Sequence, residues 1–429
     1  MKEILIIRDS LVNRISYYHL LAFLVLLPFD RFYSELVLIS LVIHTIIHLK
    51  KSRLRSIPAI ILLFSSIWLL TIFGTLYTRD PQQAFKDWEK QLALILFPLI
   101  FSINSIELNK YKLNLLKSFS ITNLLTGIYL YFDAFRIIIY NHLPFSSILD
   151  PIFTSHNFSQ AIGLHATYFS LYISISLITM IYLSIISMKR NFYLAASIIL
   201  FLVLLQLQSR SVLIASLLII NFLIPFNLLK RNVSKKLIAV FPALSLIIIF
   251  FTFQNHNFKK RFVSDLKSDI SQNDGKIHDV EPRAARWACA LELIKASPLI
   301  GYGSGSEVQL LKEKYFQKGY YTSFLNELNA HNEYLSLTIQ FGFAGLAIYL
   351  FLLIIAFANG LSRKDILLTG FIALIATVSL SENILDTNKG IFFFSFFLSF
   401  LSWPLNEFEI APTNYSSSPF EDGIISSVL

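Results

Sequence analysis

The chain reads as an all-α polytopic membrane protein, with about twelve transmembrane helices and one long outer loop that carries short helices of its own. Three observations predict this. Hydrophobic residues fill 55% of the 429 positions and charged residues only 15%, too few to coat a water-soluble fold of this size. The charges stand in short clusters between apolar runs rather than alternating along helix faces. Lys and Arg gather in every second cluster, the pattern that short cytoplasmic loops leave.

A helix of roughly 20 residues crosses a hydrocarbon core about 30 Å thick. Apolar runs of that order lie at 15–29, 33–49, 57–76, 88–103, 115–139 and 164–188 in the first half of the chain. The second half adds 192–207, 212–229, 237–253, 334–358, 366–380 and 391–404. The first and fourth runs hold a proline each, Pro28 and Pro98, and are candidates for partly re-entrant segments. The first run follows Arg8 and Arg14 as a signal peptide would, but it lacks a small-residue cleavage site and is read as retained. Residues 1–253 thus hold nine spans, 254–330 the loop, 331–405 three spans, and 406–429 a Ser-rich tail with Pro412 and Pro419 that reads as disordered.

Orientation follows from the basic clusters. One set holds Lys2, Arg8, Arg14, Lys50, Lys51, Arg53, Arg55, Lys110, Lys112, Lys117, Lys189, Arg190, Lys230, Arg231, Lys235, Lys236, Arg363 and Lys364, and is cytoplasmic. The opposite set is sparse: Arg31, Arg79, Lys86, Lys90, Arg136, Arg210 and Lys389. Both termini then face the cytoplasm and the 254–330 loop lies across the membrane. The formal net charge of +9 is mostly this topological signal, so it implies a membrane and its lipids as partners and no nucleic acid. Cys289 is the single cysteine, which excludes an intrachain disulfide and a cysteine-rich metal site.

The unusual polar residues share the outer side. His331, in Asn329-Ala330-His331-Asn332-Glu333-Tyr334, stands where the loop gives way to a span, an address for a neutral general base; an isolated His there is otherwise an interface residue. His165 opens the sixth span. Arg210 sits in the tight turn Gln208-Ser209-Arg210-Ser211, where a guanidinium near the bilayer calls for an anionic partner or snorkels to headgroups. In the loop, Glu281-Pro282 precedes a helix predicted over 283–296, with Arg283 and Arg286 on one face. Gly301-Tyr302-Gly303-Ser304-Gly305 reads as a plain turn, because the lysine-bearing phosphate-loop pattern is absent. Asp265, Asp269, Asp274, Asp279 and Glu281 are scattered, so no metal and no cofactor is expected.

Two arginines and a base at an outer membrane face suit transfer of a sugar from a polyprenyl diphosphate: guanidinium groups hold the leaving diphosphate bidentately and the imidazole deprotonates the attacking hydroxyl. Direct displacement inverts the anomeric centre. A double displacement would need a carboxylate nucleophile, for which Glu333 and Glu382 are the nearest candidates.

At Ser209-Arg210, at Arg286-Trp287 followed by Pro298-Leu299-Ile300-Gly301-Tyr302-Gly303-Ser304-Gly305, and at His331-Asn332-Glu333-Tyr334 followed by Gly342 and Gly345, the chain resembles the O-antigen ligase family. The resemblance implies a catalytic set of Arg210, Arg286 and His331, with His165, Tyr168, Lys90, Arg283 and Asn332 binding substrate. It also implies metal-independent, inverting transfer of polysaccharide from an undecaprenyl-diphosphate-linked donor to a lipid A-core acceptor, on the periplasmic face of the bacterial inner membrane. O-antigen polymerases and protein O-oligosaccharyltransferases, which use the same donor, share much of the pattern. A transporter is the reading from another class, but no internal repeat and few mid-membrane charges favour it.

Overall fold

The computed structural model describes residues 2–51, 60–229, 235–270 and 281–402. The expectations for Arg53, Arg55, Lys230, Arg231, Asp274, Asp279 and the 406–429 tail lie outside the described residues. Among those described, regular structure is entirely helical. Local hydropathy dictates this: with no water in the bilayer, each segment must satisfy its backbone internally.

The principal helices are α1 (Leu11–Leu26), α2 (Arg31–Ile47), α3 (Ser66–Gly74), α4 (Pro81–Gln91), α5 (Ala93–Ile103), α6 (Leu108–Tyr140), α7 (Ala166–Ile186) and α8 (Arg190–Leu207). They continue as α9 (Arg210–Leu218), α10 (Lys235–Thr252), α11 (Arg283–Ala296), α12 (Glu307–Gln317), α13 (Glu333–Ser362), α14 (Ile366–Val378) and α15 (Asn388–Ser402). Each of the apolar runs is matched by helix. By length and composition, α7, α8, the Arg210–Leu228 stretch and α13 are long and apolar enough to cross a membrane, while α1, α14 and α15 are apolar but shorter.

Three runs differ from their sequence reading. The run at 57–76 is interrupted near Ser65, between Ile60–Phe64 and Ser66–Gly74. The run at 88–103 divides into the polar α4 and the apolar α5, because Asp80 caps α4 on the Gln83 N–H (3.0 Å) and Pro81 starts it well before the apolar stretch. Pro98 lies inside a continuous α5. The third difference concerns α13, whose backbone leaves helical geometry at Gly342 (φ 64°, ψ −165°).

That break is filled by the loop. Tyr302 N–H donates to the Ile339 carbonyl (3.0 Å), Gly303 N–H to the Gln340 carbonyl (2.8 Å), and Phe343 N–H to the Pro298 carbonyl (2.8 Å). Backbone groups released by the kink are thus satisfied by residues 298–303. Gly303 and Gly305 take positive φ, and Ser304 N–H and Oγ reach the Gly74 and Thr71 carbonyls of α3, tying the loop to a second helix. The glycine turn is therefore a packing device. Its Tyr302, Gly303, Ser304 and Gly305 amides all have protein acceptors, in keeping with a plain turn rather than a phosphate cradle.

The core centres on α15, whose Ile391 to Leu401 stretch is buried on every side. Phe396 packs on Phe23 (ring centroids 5.1 Å) and Phe97 (5.3 Å), Phe397 on Phe119 (5.1 Å), and Phe393 on Phe371 (5.6 Å), so α15 joins α1, α5, α6 and α14. Lipid is as apolar as Phe, so close packing rather than water exclusion holds these helices together. A second cluster within the loop region contains Cys289, fully buried as an ordinary small side chain, with Ala290, Leu311, Tyr315 and Ala330.

A side chain at Gly342 would meet both a left-handed backbone and the Leu299 carbonyl, whereas Gly163 (φ 63°) has open space around it. Gly342→Ala is expected to cost about 3 kcal/mol or more and Gly163→Ala about 1 kcal/mol. Thermal unfolding of the detergent-solubilised variants checks this; equal Tm shifts would show that the inserted loop does not govern the break.

Candidate functional site

Several loop and helix ends converge on one cavity of about 380 Å³. It is lined by Ser155, His156, His165, Gln208, Arg210, Arg261, Arg283, His331 and Glu382, with the apolar side chains of Leu207, Ile214, Leu266 and Leu380. Three guanidiniums against one carboxylate make its wall cationic, a setting for an anion. Ser155, Gln208 and His331 all hold left-handed backbone geometry (φ 56°, 47° and 45°), so three non-glycine residues with strained backbones border the same space.

Gln208 ends α8 in that left-handed conformation and Ser209 is extended, so α9 starts at once with Arg210 at its tip. Gln206 Nε2 donates to the carbonyls of Ile148 (2.6 Å) and Phe153 (2.7 Å), fixing the outer segment that leads to His156. Arg210 Nη2 bonds the Asp269 carboxylate, while Nη1 has no partner among the described residues. The His156 and His165 rings meet at a tilt (centroids 4.0 Å, planes 50° apart), and their Nδ1 atoms accept the Ala166 and Thr167 N–H groups at the start of α7 (3.4 Å each). Burial pushes His165 down to about 4, aided by His156, so it is neutral near pH 7.

His331 directly precedes the cap of α13, and its Nδ1 lies 3.5 Å from Glu382 Oε2. The other Glu382 oxygen is 3.7 Å from Arg283 Nη2. Burial alone would push the Glu382 carboxyl up, but His331, Arg283 and His165 together hold it below its usual range. With Nδ1 facing the carboxylate, the imidazole Nε2 is left as the basic nitrogen.

The helix expected over 283–296 is observed as Arg283–Ala296. The Glu281 carboxylate anchors its start by accepting the Thr322 and Ser323 N–H groups and the Ser323 hydroxyl. Arg286 follows Arg283 by three residues and therefore shares its face. It is 5% exposed, and its Nε and Nη1 have no acceptor among the described residues. Burial draws its guanidinium below the usual range, countered by Tyr315 and by Asp269, the carboxylate that binds Arg210. A buried, incompletely bonded cation is costly unless an anion joins it.

Of the residues singled out from sequence, His165, Arg210, Arg283 and His331 line the cavity, and Arg286, buried on the same helix as Arg283, lies outside the lining. Lys90 lies outside the lining, 3.3 Å from Asp87 and 3.1 Å from Asp386. The Tyr168 ring sits beside His165 (5.8 Å) and its hydroxyl points to the Asn383 carbonyl (3.5 Å). Asn332 caps α13, accepting Leu335 N–H and donating to the Leu380 carbonyl. Glu333 is buried, with Oε2 accepting Leu385 N–H at 2.8 Å and facing away from the lining. Sequence reasoning missed His156, Arg261 and the pairing of Asp269 with Arg210. It weighed Glu382 only as a nucleophile. Among the described residues no cluster of metal-ligating side chains occurs.

Residues 194–350 match the model of the family described as O-antigen ligase. No curated protein matches the chain. The matched stretch holds Arg286 and the cavity-lining Arg210, Arg261, Arg283 and His331. Over this stretch the chain is similar to the O-antigen ligase family, and its long apolar helices agree with that match.

Proposed function

We propose that this chain is an O-antigen ligase-type glycosyltransferase, which moves a polysaccharide from undecaprenyl diphosphate to a hydroxyl of the lipid A core. The placement of His331 and Glu382 in the same cavity wall as Arg210 and Arg283, with the incompletely bonded Arg286 three residues along the helix from Arg283, carries this reading. In the reaction His331 Nε2 accepts the proton of the acceptor hydroxyl as its oxygen bonds the anomeric carbon. The bond from that carbon to the diphosphate oxygen breaks with inversion, and the electron pair leaves on the lipid diphosphate. Arg210, Arg283 and Arg286 stabilise the charge that develops there.

Glu382 does not serve as a nucleophile in this scheme. Both its oxygens are engaged by His331 and Arg283, so it orients the imidazole and stabilises the imidazolium. His165 and Tyr168 contribute to the substrate wall, and Lys90 and Asn332 support it through Asp386 and the α13 cap. We place the site on the periplasmic face of the inner membrane, the chain crossing about twelve times with both termini cytoplasmic, because the basic clusters avoid the side that holds the loop.

Deleting the gene should remove every ladder band from surface lipopolysaccharide, and a wild-type copy should restore them. A copy carrying His331→Ala should lower transfer about 100-fold or more at normal membrane abundance. A core bearing one repeat in the deletion strain would instead assign polymerisation.

Arginine and lysine differ in geometry more than in charge. Arg210→Lys and Arg286→Lys should each lower transfer at least about tenfold, because the planar fork is lost, and purified enzyme should work in EDTA. Near-normal rates in both variants would make these residues headgroup anchors, and a strict need for divalent metal would rule out the arginine clamp.

Reporters fused at Gly319 should behave as periplasmic and those at Arg363 as cytoplasmic. The reverse pattern would put the cavity on the wrong side for a lipid-linked donor.

A further inference from the structure

Glu307 lies outside the cavity lining, yet it touches both chain segments that carry the proposed base and its carboxylate partner. It opens α12, directly after the glycine turn held in the break of α13, and is 5% exposed. Its Oε1 accepts the Ala330 N–H (3.0 Å) and the Asn383 side-chain amide (3.4 Å). Its Oε2 accepts the Ser336 hydroxyl. Asn383 in turn accepts the Asn332 N–H through Oδ1 (2.7 Å).

These bonds close a ring. Ala330 and Asn332 flank His331, and Asn383 follows Glu382 directly, so the backbone on both sides of the imidazole is fixed to the residue beside its carboxylate. His331 needs such a hold. Its left-handed backbone (φ 45°) is sparsely populated for a non-glycine residue and persists only where surrounding bonds over-determine it. Trp287 Nε1 adds a bond to the Ala330 carbonyl (2.9 Å), and Asn329 Oδ1 accepts the His331 N–H (3.0 Å), so consecutive backbone groups are tied from several directions.

We infer that Glu307 is a positioning residue for transfer: one carboxylate oxygen, bonded to Ala330 and Asn383, sets the approach of His331 to Glu382. It touches no reacting atom and holds the two segments whose separation determines how the imidazole meets the acceptor hydroxyl. The inference rests on the reading of His331 as the base.

Glu307→Ala opens the ring, whereas Glu307→Gln keeps an acceptor oxygen for Ala330 and Asn383 and turns its amide toward the Ser336 oxygen. With purified enzyme and lipid-linked donor, Glu307→Ala should lower kcat about 100-fold with KM nearly unchanged, and Glu307→Gln should stay within about threefold of wild type. Adding Glu307→Ala to His331→Ala should cost little further, because the carboxylate acts through the imidazole. Should Glu307→Ala not elute as a folded protein, Asn383→Ala opens the same ring from its other side and should show the same loss of kcat. Full kcat in the ring-opening variant, a loss confined to KM, or an undiminished loss on the His331→Ala background would overturn the positioning role. If His331→Ala itself kept its kcat, the reading of the base would fail first, whatever Glu307 does.

Discussion

The break in α13 is the constraint on which the loop and cavity half of the molecule depends. A continuous helix would use the Ile339 and Gln340 carbonyls internally and leave residues 298–303 without a seat. Gly342 releases those carbonyls, and the loop's own amides take them. Such an exchange is tolerated in an apolar helix because the Ile339 and Gln340 carbonyls and the Phe343 N–H find new backbone partners. It also sets the position of everything downstream in the loop: Ser304 docks on α3, and Glu307 begins α12 where it can reach Ala330 and Asn383.

The cavity is held by electrostatics that are deliberately incomplete. Arg283 shares Glu382 with His331, Arg210 leans on Asp269, and Arg286 feels the same Asp269 while two of its nitrogens lack an acceptor among the described residues. Buried cations that are fully paired would have little left for a ligand, and cations with no partner would be too costly to keep. Shared carboxylates leave a middle state, in which the guanidiniums keep donors free for an anion; the proposed diphosphate would supply the missing acceptors. The neutral His156 and His165 avoid adding to the repulsion.

Strain and support go together around this space. Ser155, Gln208 and His331 each turn the chain with a left-handed residue where glycine would be easier, and each brings a nearby polar side chain to the cavity: His156, Arg210 and His331 itself. Gln206 steadies the first of these turns through two carbonyl acceptors. The third is held by the ring through Glu307. A site built this way derives its geometry from helix ends and capping bonds rather than from long flexible arms.

Sequence alone determined what depends on neighbours along the chain. Hydropathy placed helix at the apolar runs among the described residues, Pro282 with the periodicity after it delimited the helix Arg283–Ala296, and the two-residue turn before Arg210 was legible from its polar pair. The short motifs marked Arg210, Arg286 and His331. Tertiary structure alone decided the pairings. Glu382 is 51 residues from His331, Asp269 is 59 from Arg210, and Glu307 is 76 from Asn383. An acidic residue in a loop has no period and no cap to announce its partner, because a Coulombic or hydrogen-bonded contact depends on where two segments meet in space. The break at Gly342 was hidden for the same reason: a single glycine in an apolar run is tolerated by a membrane helix, and only the loop that enters beside it turns that tolerance into a kink.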